Sequence, residues 1–271
     1  MVAQAKTLGF DSLAVTDHGA LYGAVGFYQA CRSAGIKPII GVETYVARRS
    51  MTDREGKVDD KPYHLVLLAR DWTGYQNLCR LMTGAHLDGY YYKPRIDREF
   101  LAQHSEGLVG LSACLAGEVA RTLETGDWEA ARRVAGGYRD ILGEGNFFLE
   151  LQDHGLPEQR RLNEQLLRLA PEVGLPLVAT NDLHYVRREQ AEAHDVLLCV
   201  GTASNLDTPG RMRFETQEFY LKSAAEMAAL FPGTPQAISN TRLIAEMTDL
   251  ELFGDRPVAR AQPVLTLAAQ P

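Results

Sequence analysis

Residues 12–46 read SLAVTDHGALYGAVGFYQACRSAGIKPIIGVETYV, and this stretch decides the fold class. Ser12–Thr16 is short and largely apolar, the pattern of a buried strand. Leu21–Ala34 has helical character and stops at Gly35, the residue type that best takes the left-handed turn past a last helical residue. Pro38–Val46 then gives a second apolar strand. Downstream, His64–Ala69, Leu108–Ser112, Phe147–Gln152 and Leu177–Thr180 repeat the strand pattern. Tyr75–Thr83, Asp127–Leu142 (stopped by Gly143) and Glu158–Val173 (stopped by Gly174) repeat the helical one. Repeated alternation of this kind predicts an α/β protein with a parallel sheet, open or closed into a barrel.

The chain has 271 residues, enough for one large barrel or two ordinary domains. Arg48–Lys61 is charged and contains glycine, and is expected to be a mobile surface loop. Past His184 the strand pattern fades. Glu189–Val200 looks helical, Ser223-Ala224-Ala225-Glu226 has the form of a capping box, and Pro235–Thr248 reads as a further helix. These imply a barrel domain over 1–200, a helical extension over 201–259 and a frayed tail over 260–271. The chain has no internal repeat and no low-complexity tract.

Composition narrows the function classes. Apolar and charged fractions are those of a globular protein, and no apolar run approaches the roughly 20 residues of a membrane span. The four cysteines, Cys31, Cys79, Cys114 and Cys199, are scattered without a CxxC pair, and no secretory pattern opens the chain. Both point to a reducing cytoplasm. A net charge of −7 excludes whole-surface attraction to nucleic acid, so any such contact must come from a local basic patch.

Metal-ligand residue types cluster at strand ends, where a barrel keeps its chemistry. His18 follows Leu13–Thr16 directly. Asp17 beside it either orients a ligand, ligates, or caps the following helix. Glu43 lies inside Ile39–Val46, where a carboxylate is costly to bury without a cation, unless it faces solvent at an edge. Cys114 follows Gly110–Ala113 and is either a strand-end ligand or a small apolar filler. Asp182 and His184 end Leu177–Thr180. An extended backbone would aim both to one side, whereas an ordinary loop would not. His64 opens Leu65–Ala69, and a histidine at a strand start reads as structural. In Tyr90-Tyr91-Tyr92-Lys93-Pro94-Arg95, aromatic faces accompany two cations. Such a loop can stack bases and grip phosphates, or simply lie exposed. His86, His104, His154 and His194 lack strand-end context and read as surface or core.

TDHG, GVETYV, YHLVLLA, GYQNL, YYKPRID, LSAC, FLELQDHGLPEQ and ATNDLHYV occur in that order from about Leu8 to about Thr248. This series resembles the PHP (polymerase and histidinol phosphatase) domain at the start of bacterial DNA polymerase III alpha subunits. The resemblance implies a distorted seven-stranded β/α barrel holding up to three divalent ions, zinc or manganese, at one mouth. It makes His18, Glu43, His64, Cys114, Asp182 and His184 metal ligands, reversing the structural reading of His64. Asp17 is then an orienting residue, and Lys93 and Arg95 are phosphate contacts. The implied activity is metal-dependent 3′–5′ exonuclease action on a DNA 3′ end or primer strand. The implied partners are the remaining polymerase domains and a proofreading exonuclease subunit. A free-standing phosphatase on a small phosphomonoester and a non-catalytic scaffold are the rival readings. The family's first motif, a His-x-His on its first strand, has no counterpart here, and no paired palm aspartates follow Thr248. The chain therefore reads as a piece of a longer protein, with its first strand missing and its activity weakened.

Overall fold

A computed structural model describes residues 1–253, so the expected tail at 260–271 and the end of the helical extension lie outside the described residues. The elements run α1 (Val2–Thr7), β1 (Ser12–His18), α2 (Ala24–Ala34), β2 (Lys37–Val46), β3 (Tyr63–Ala69), α3 (Trp72–Leu87), β4 (Arg95–Ile96), α4 (Arg98–Gln103), β5 (Leu108–Leu111), α5 (Glu118–Glu124), α6 (Trp128–Leu142), β6 (Phe147–Leu151), α7 (Pro157–Val173) and β7 (Leu177–Ala179). After a short 3₁₀ turn at Arg188–Gln190 come α8 (Ala191–Gly201), α9 (Ala224–Leu230) and α10 (Pro235–Met247). Helix boundaries follow chemistry visible in the sequence. Gly35 and Gly174 end α2 and α7 in the left-handed conformation. Asp71, Asp97 and Asp127 each accept a backbone N–H at the start of α3, α4 and α6. Ser223 and Glu226 form the expected capping box on α9.

The sheet order is β1-β2-β3-β5-β6-β7, with β4 pairing against the end of β2. β1 pairs with β2 up to His18 and Glu43, and β4 takes over beside Tyr45 and Val46. Among the described residues β1 and β7 each have one neighbour, so the sheet curls into a half-barrel rather than closing.

The expectation of an all-parallel sheet fails at β3, which runs antiparallel to both β2 and β5. The segment joining β2 to β3 contains no helix, so the chain returns from the end where β2 finished. The consequence is functional. The beginning of β3 lies at the same mouth as the ends of the other strands, and Tyr45 pairs with His64.

The two faces of the sheet differ. One packs against the surrounding helices through Ile40, Val42, Val46, Leu65, Leu67, Leu149 and Leu151. The other is the concave inner face. Its lower part is apolar, formed by Ile39, Val66, Leu68, Val109, Leu111, Phe148 and Val178. Ile244 and Ala245 of α10 join this cluster, and Lys37 Nζ donates to the Ala245 carbonyl at 2.7 Å, so α10 plugs the bottom of the half-barrel. With a side-chain period of two, the same face carries ionisable residues one or two steps higher: Glu43, His64 and Glu150. Gly41 sits below Glu43 because a Cβ there would come within 2.6 Å of the Leu67 carbonyl oxygen.

The segment 48–61, expected to be a surface loop, is organised by hydrogen bonds and an ion pair. Arg95 is fully buried. Its Nε donates to the Gly89 carbonyl at 3.0 Å, its Nη1 to Asp59 at 3.1 Å, and its Nη2 to Met51 and Asp53 at 2.9 and 2.8 Å. Arg49 adds an ion pair to the buried Asp59 at 2.6 Å, and the Met51 N–H donates to Asp97. A charged loop is thereby folded around one guanidinium.

Candidate metal centre

Glu43 is the hub of the mouth. Its side chain rises from the inner face of β2 and is buried, yet among the described residues no lysine or arginine forms an ion pair with it. His64 Nδ1 lies 2.6 Å from Glu43 Oε1, with the ring N–H donating to the carboxylate. His18 Nδ1 lies 3.7 Å from Glu43 Oε2. Ligand atoms of His18, Glu43 and His64 all fall within 4.8 Å of one another. Cys114 Sγ approaches from the end of β5, 3.7 Å from His64 Nδ1 and 3.9 Å from Glu43 Oε1. The His18 ring is 6.4 Å from that of His184, which brings the loop after β7 to the same mouth.

Asp182 and His184 reach the mouth by a route the sequence did not suggest. Asp182 takes a positive φ of 42°, so the backbone is not extended and a strand period does not apply. His184 Nδ1 instead bonds the Asp182 carbonyl at 2.8 Å and lies 3.8 Å from its carboxylate. The loop is tied down from outside. Asn181 donates to the Tyr220 carbonyl, and the His184 N–H donates to Phe219. His154 is fully buried, stacks on Phe219 and donates to the Asn181 carbonyl at 2.7 Å. His154 is thus a loop anchor.

Asp17 does not orient His18. Neighbouring strand residues point to opposite faces, so Asp17 turns outward and accepts the Gly23 N–H at 2.8 Å, pinning the turn into α2. Arg95 is fully buried with four of its five N–H donors on backbone carbonyls, so it is not presented to a phosphate at the mouth. Lys93 does reach the mouth, with its Nζ 5.5 Å from the centre of the Tyr45 ring, itself stacked on His18 at 5.9 Å.

The sequence reading missed Glu150. It is buried on the inner face of β6, between the loops that carry Cys114 and Asp182. Its Oε2 accepts the Ala113 N–H at 3.0 Å, and its Oε1 accepts from Gln152 and from the Thr180 hydroxyl. Phe147-Phe148-Leu149-Glu150-Leu151 carries the same signal as the strand around Glu43, an acid inside an apolar strand, so the rule that found one finds the other.

The electrostatics describe anions without enough cations. Burial raises Asp182 to about 6, with Glu43 adding to the effect and His184 and His64 opposing it. Burial raises Glu150 to about 7 against its hydrogen bonds from Thr180 and Gln152. Burial, then Glu43 and Asp182, lift the Cys114 thiol well above its usual range. Burial would also raise Glu43, but the His64 hydrogen bond and the nearby histidines outweigh it and leave this carboxyl below its ordinary value. Burial lowers His18 despite the pull of Glu43, and His64, His184 and Lys93 add to the lowering. The His18 imidazole kept neutral, the Glu43 carboxylate kept ionised, a second imidazole from His64 and a thiol beside them form a donor set suited to a borderline divalent cation. A cation there would compensate the buried charge. The residues present therefore fit a metal site.

Fold and mouth define an α/β half-barrel with a candidate divalent-metal centre. Residues 1–154 match the family described as PHP domain. The chain belongs to that family. It is 47% identical over 253 residues to DNA polymerase III subunit alpha of Treponema pallidum (strain Nichols), a match covering 93% of this chain and 22% of the relative. It is 48% identical over 255 residues to DNA polymerase III subunit alpha of Thermus aquaticus, covering 92% and 21%. The chain thus spans about a fifth of the length of these curated relatives. Among solved structures, a putative metal-dependent phosphoesterase from Bifidobacterium adolescentis aligns over 84% of this chain and 88% of its own, with TM-score 0.40 and 13% identity.

Proposed function

We propose that this chain is the metal-site portion of a replicative DNA polymerase alpha subunit and hydrolyses phosphodiesters with divalent-metal assistance, acting 3′–5′ on a DNA strand end. The observation that carries this reading is the convergence of His18, Glu43 and His64 within 4.8 Å, with the Cys114 sulfur within 4 Å of two of them. In this proposal His18, Glu43, His64, Cys114, Asp182 and His184 hold zinc, with manganese as the alternative ion and up to three ions in a full shell. A bound divalent ion supplies Lewis acidity and charge neutralisation to a phosphoester. Glu43 keeps His64 and His18 aimed into the mouth. Lys93 steadies a phosphate of the incoming strand, since its ammonium lies over the Tyr45 ring that stacks on His18. Glu150 fixes the loops bearing Cys114 and Asp182 relative to each other. The remaining polymerase domains and a proofreading exonuclease subunit are the proposed partners, and the cytoplasm is the proposed compartment.

The test compares release of nitrophenol from a nitrophenyl phosphate monoester, cleavage of bis(4-nitrophenyl) phosphate, and trimming of a 3′-labelled single-stranded oligonucleotide. Each is run with Zn²⁺, with Mn²⁺ and with chelator. Metal-dependent diester cleavage and 3′ trimming are expected. Cleavage of the monoester alone would establish the small-substrate phosphatase instead. Strong stabilisation by metal with no cleavage of any substrate would establish the scaffold.

A further inference from the structure

Three tyrosines around the mouth are left exposed by a fold that buries most of its rings. Tyr22 is 87% exposed, Tyr92 67% and Tyr90 52%. They belong to two segments in mutual contact. The turn 19–23 leaves the end of β1 just after His18. The loop 90–94 packs on it, with Pro94 so close to Gly19 that a Cβ there would lie 2.8 Å from Pro94 Cγ. His86 donates to the Gly19 carbonyl at 2.9 Å and stands beside the Tyr90 ring. Gly19 itself needs its positive φ of 61° to make this turn.

The loop presents Tyr92 at an energetic cost. Tyr92 has φ 58°, which a non-glycine side chain adopts against steric resistance. It is held there by a fixed stack. Tyr91 lies edge-on to Tyr92 at 4.6 Å, and the buried Arg95 guanidinium lies 5.2 Å from the Tyr91 ring centre. An exposed ring on a braced, strained backbone is a preorganised contact surface. Lys93, in the same loop, lies over the Tyr45 ring, which stacks on His18 of the His18–Glu43–His64 cluster.

We propose that Tyr22 and Tyr92, with Tyr90 and Lys93 beside them, form a stacking rim for the unpaired bases of a single-stranded polynucleotide led into the mouth. This rests on the phosphodiesterase reading and specifies its substrate: a strand with bases rather than a small ester. Flat, exposed aromatic faces suit any base, and one cation beside them suits one backbone phosphate. A chain of net charge −7 has no general attraction for nucleic acid. Binding should therefore depend only weakly on salt, as expected when about one phosphate is neutralised.

The experiment measures fluorescence anisotropy of a labelled oligothymidylate titrated with the full chain in chelator, so that binding is read without cleavage. Tyr22→Leu and Tyr92→Leu are each expected to weaken binding roughly fivefold or more, while Tyr22→Phe and Tyr92→Phe stay within about twofold of wild type. Unaltered affinity in the double Leu variant, equal losses with Phe and Leu, or no binding by the wild type would each overturn the rim. Failure of the hydrolytic reading shows separately, as an absence of metal-dependent ester cleavage whatever the anisotropy.

Discussion

At the residue scale, one buried carboxylate organises the mouth and a second supports it. Glu43 touches His64 directly and lies within ion-pair distance of His18. Glu43→Gln keeps the volume and removes the charge. It is expected to weaken Zn²⁺ binding by about 100-fold or more, as followed by calorimetric titration, because a ligand and the partner that orients two others are lost together. An unchanged affinity would remove Glu43 from the site. Glu150 has a different signature. Its pKa in the folded chain is raised to about 7, so its contribution to stability is present below its unfolded value near 4.5 and is lost as pH rises through 7. In metal-free protein, Glu150→Gln should therefore gain stability relative to wild type between pH 5 and pH 8, by on the order of 3 kcal/mol at most. The comparison cancels the oppositely directed carboxylates such as Glu43. A constant difference between the two melting curves across that range would show that Glu150 does not titrate in the folded state. Both residues were open to one sequence rule, an acid inside an apolar strand. Asp17 was not, because only strand parity combined with the position of Gly23 shows that it faces away from His18.

At the element scale, the reversed strand β3 and the braced segment 48–61 belong together. The connection that leaves β2 without a helix allows β3 to return antiparallel, and it brings His64 to the mouth. That connection is stabilised by Arg95, whose donors satisfy four carbonyls at 2.8–3.1 Å. Arg95→Met is expected to destabilise the chain by on the order of 3 kcal/mol, since buried carbonyls lose their partners. It should also open the 48–61 segment to trypsin at Arg54 or Lys57. Wild-type resistance to trypsin in the variant would contradict the brace. The positions of most helices and strands were legible beforehand, because C-cap glycines, N-cap aspartates and apolar runs are local signals. The direction of β3 and the role of Arg95 were not. Each depends on which segments meet across the sheet, and periodicity carries no record of that.

At the scale of the whole molecule, apolar packing holds the lower half-barrel and charge dominates its mouth. The inner face is sealed below by α10, while its rim places Glu43, Asp182, Glu150 and Cys114 together, with no lysine or arginine among the described residues in an ion pair with any of them. A divalent ion at saturation should therefore stabilise the fold as a whole. At a free concentration near 100 times Kd the gain is about 2.7 kcal/mol, a rise in melting temperature of roughly 5–10 °C that chelator reverses. Because burial holds Cys114 protonated, ion binding at pH 7 should also release about one proton, visible as a buffer-dependent enthalpy. No shift in melting temperature and no proton release would mean the cluster takes no ion. No helix among the described residues is long and apolar enough to cross a membrane.

The α/β alternation, the capped helices and the ligand-type residues at strand ends could be read from the amino-acid order alone, since each is written in neighbouring residues and their period. The direction of β3, the bend at Asp182, the enclosure of Arg95 by loop carbonyls and the bridging of the Cys114 and Asp182 loops by Glu150 emerged only in three dimensions. Those outcomes are set by contacts between segments distant in the chain, where the need to pair every buried polar group overrides what each segment would do alone.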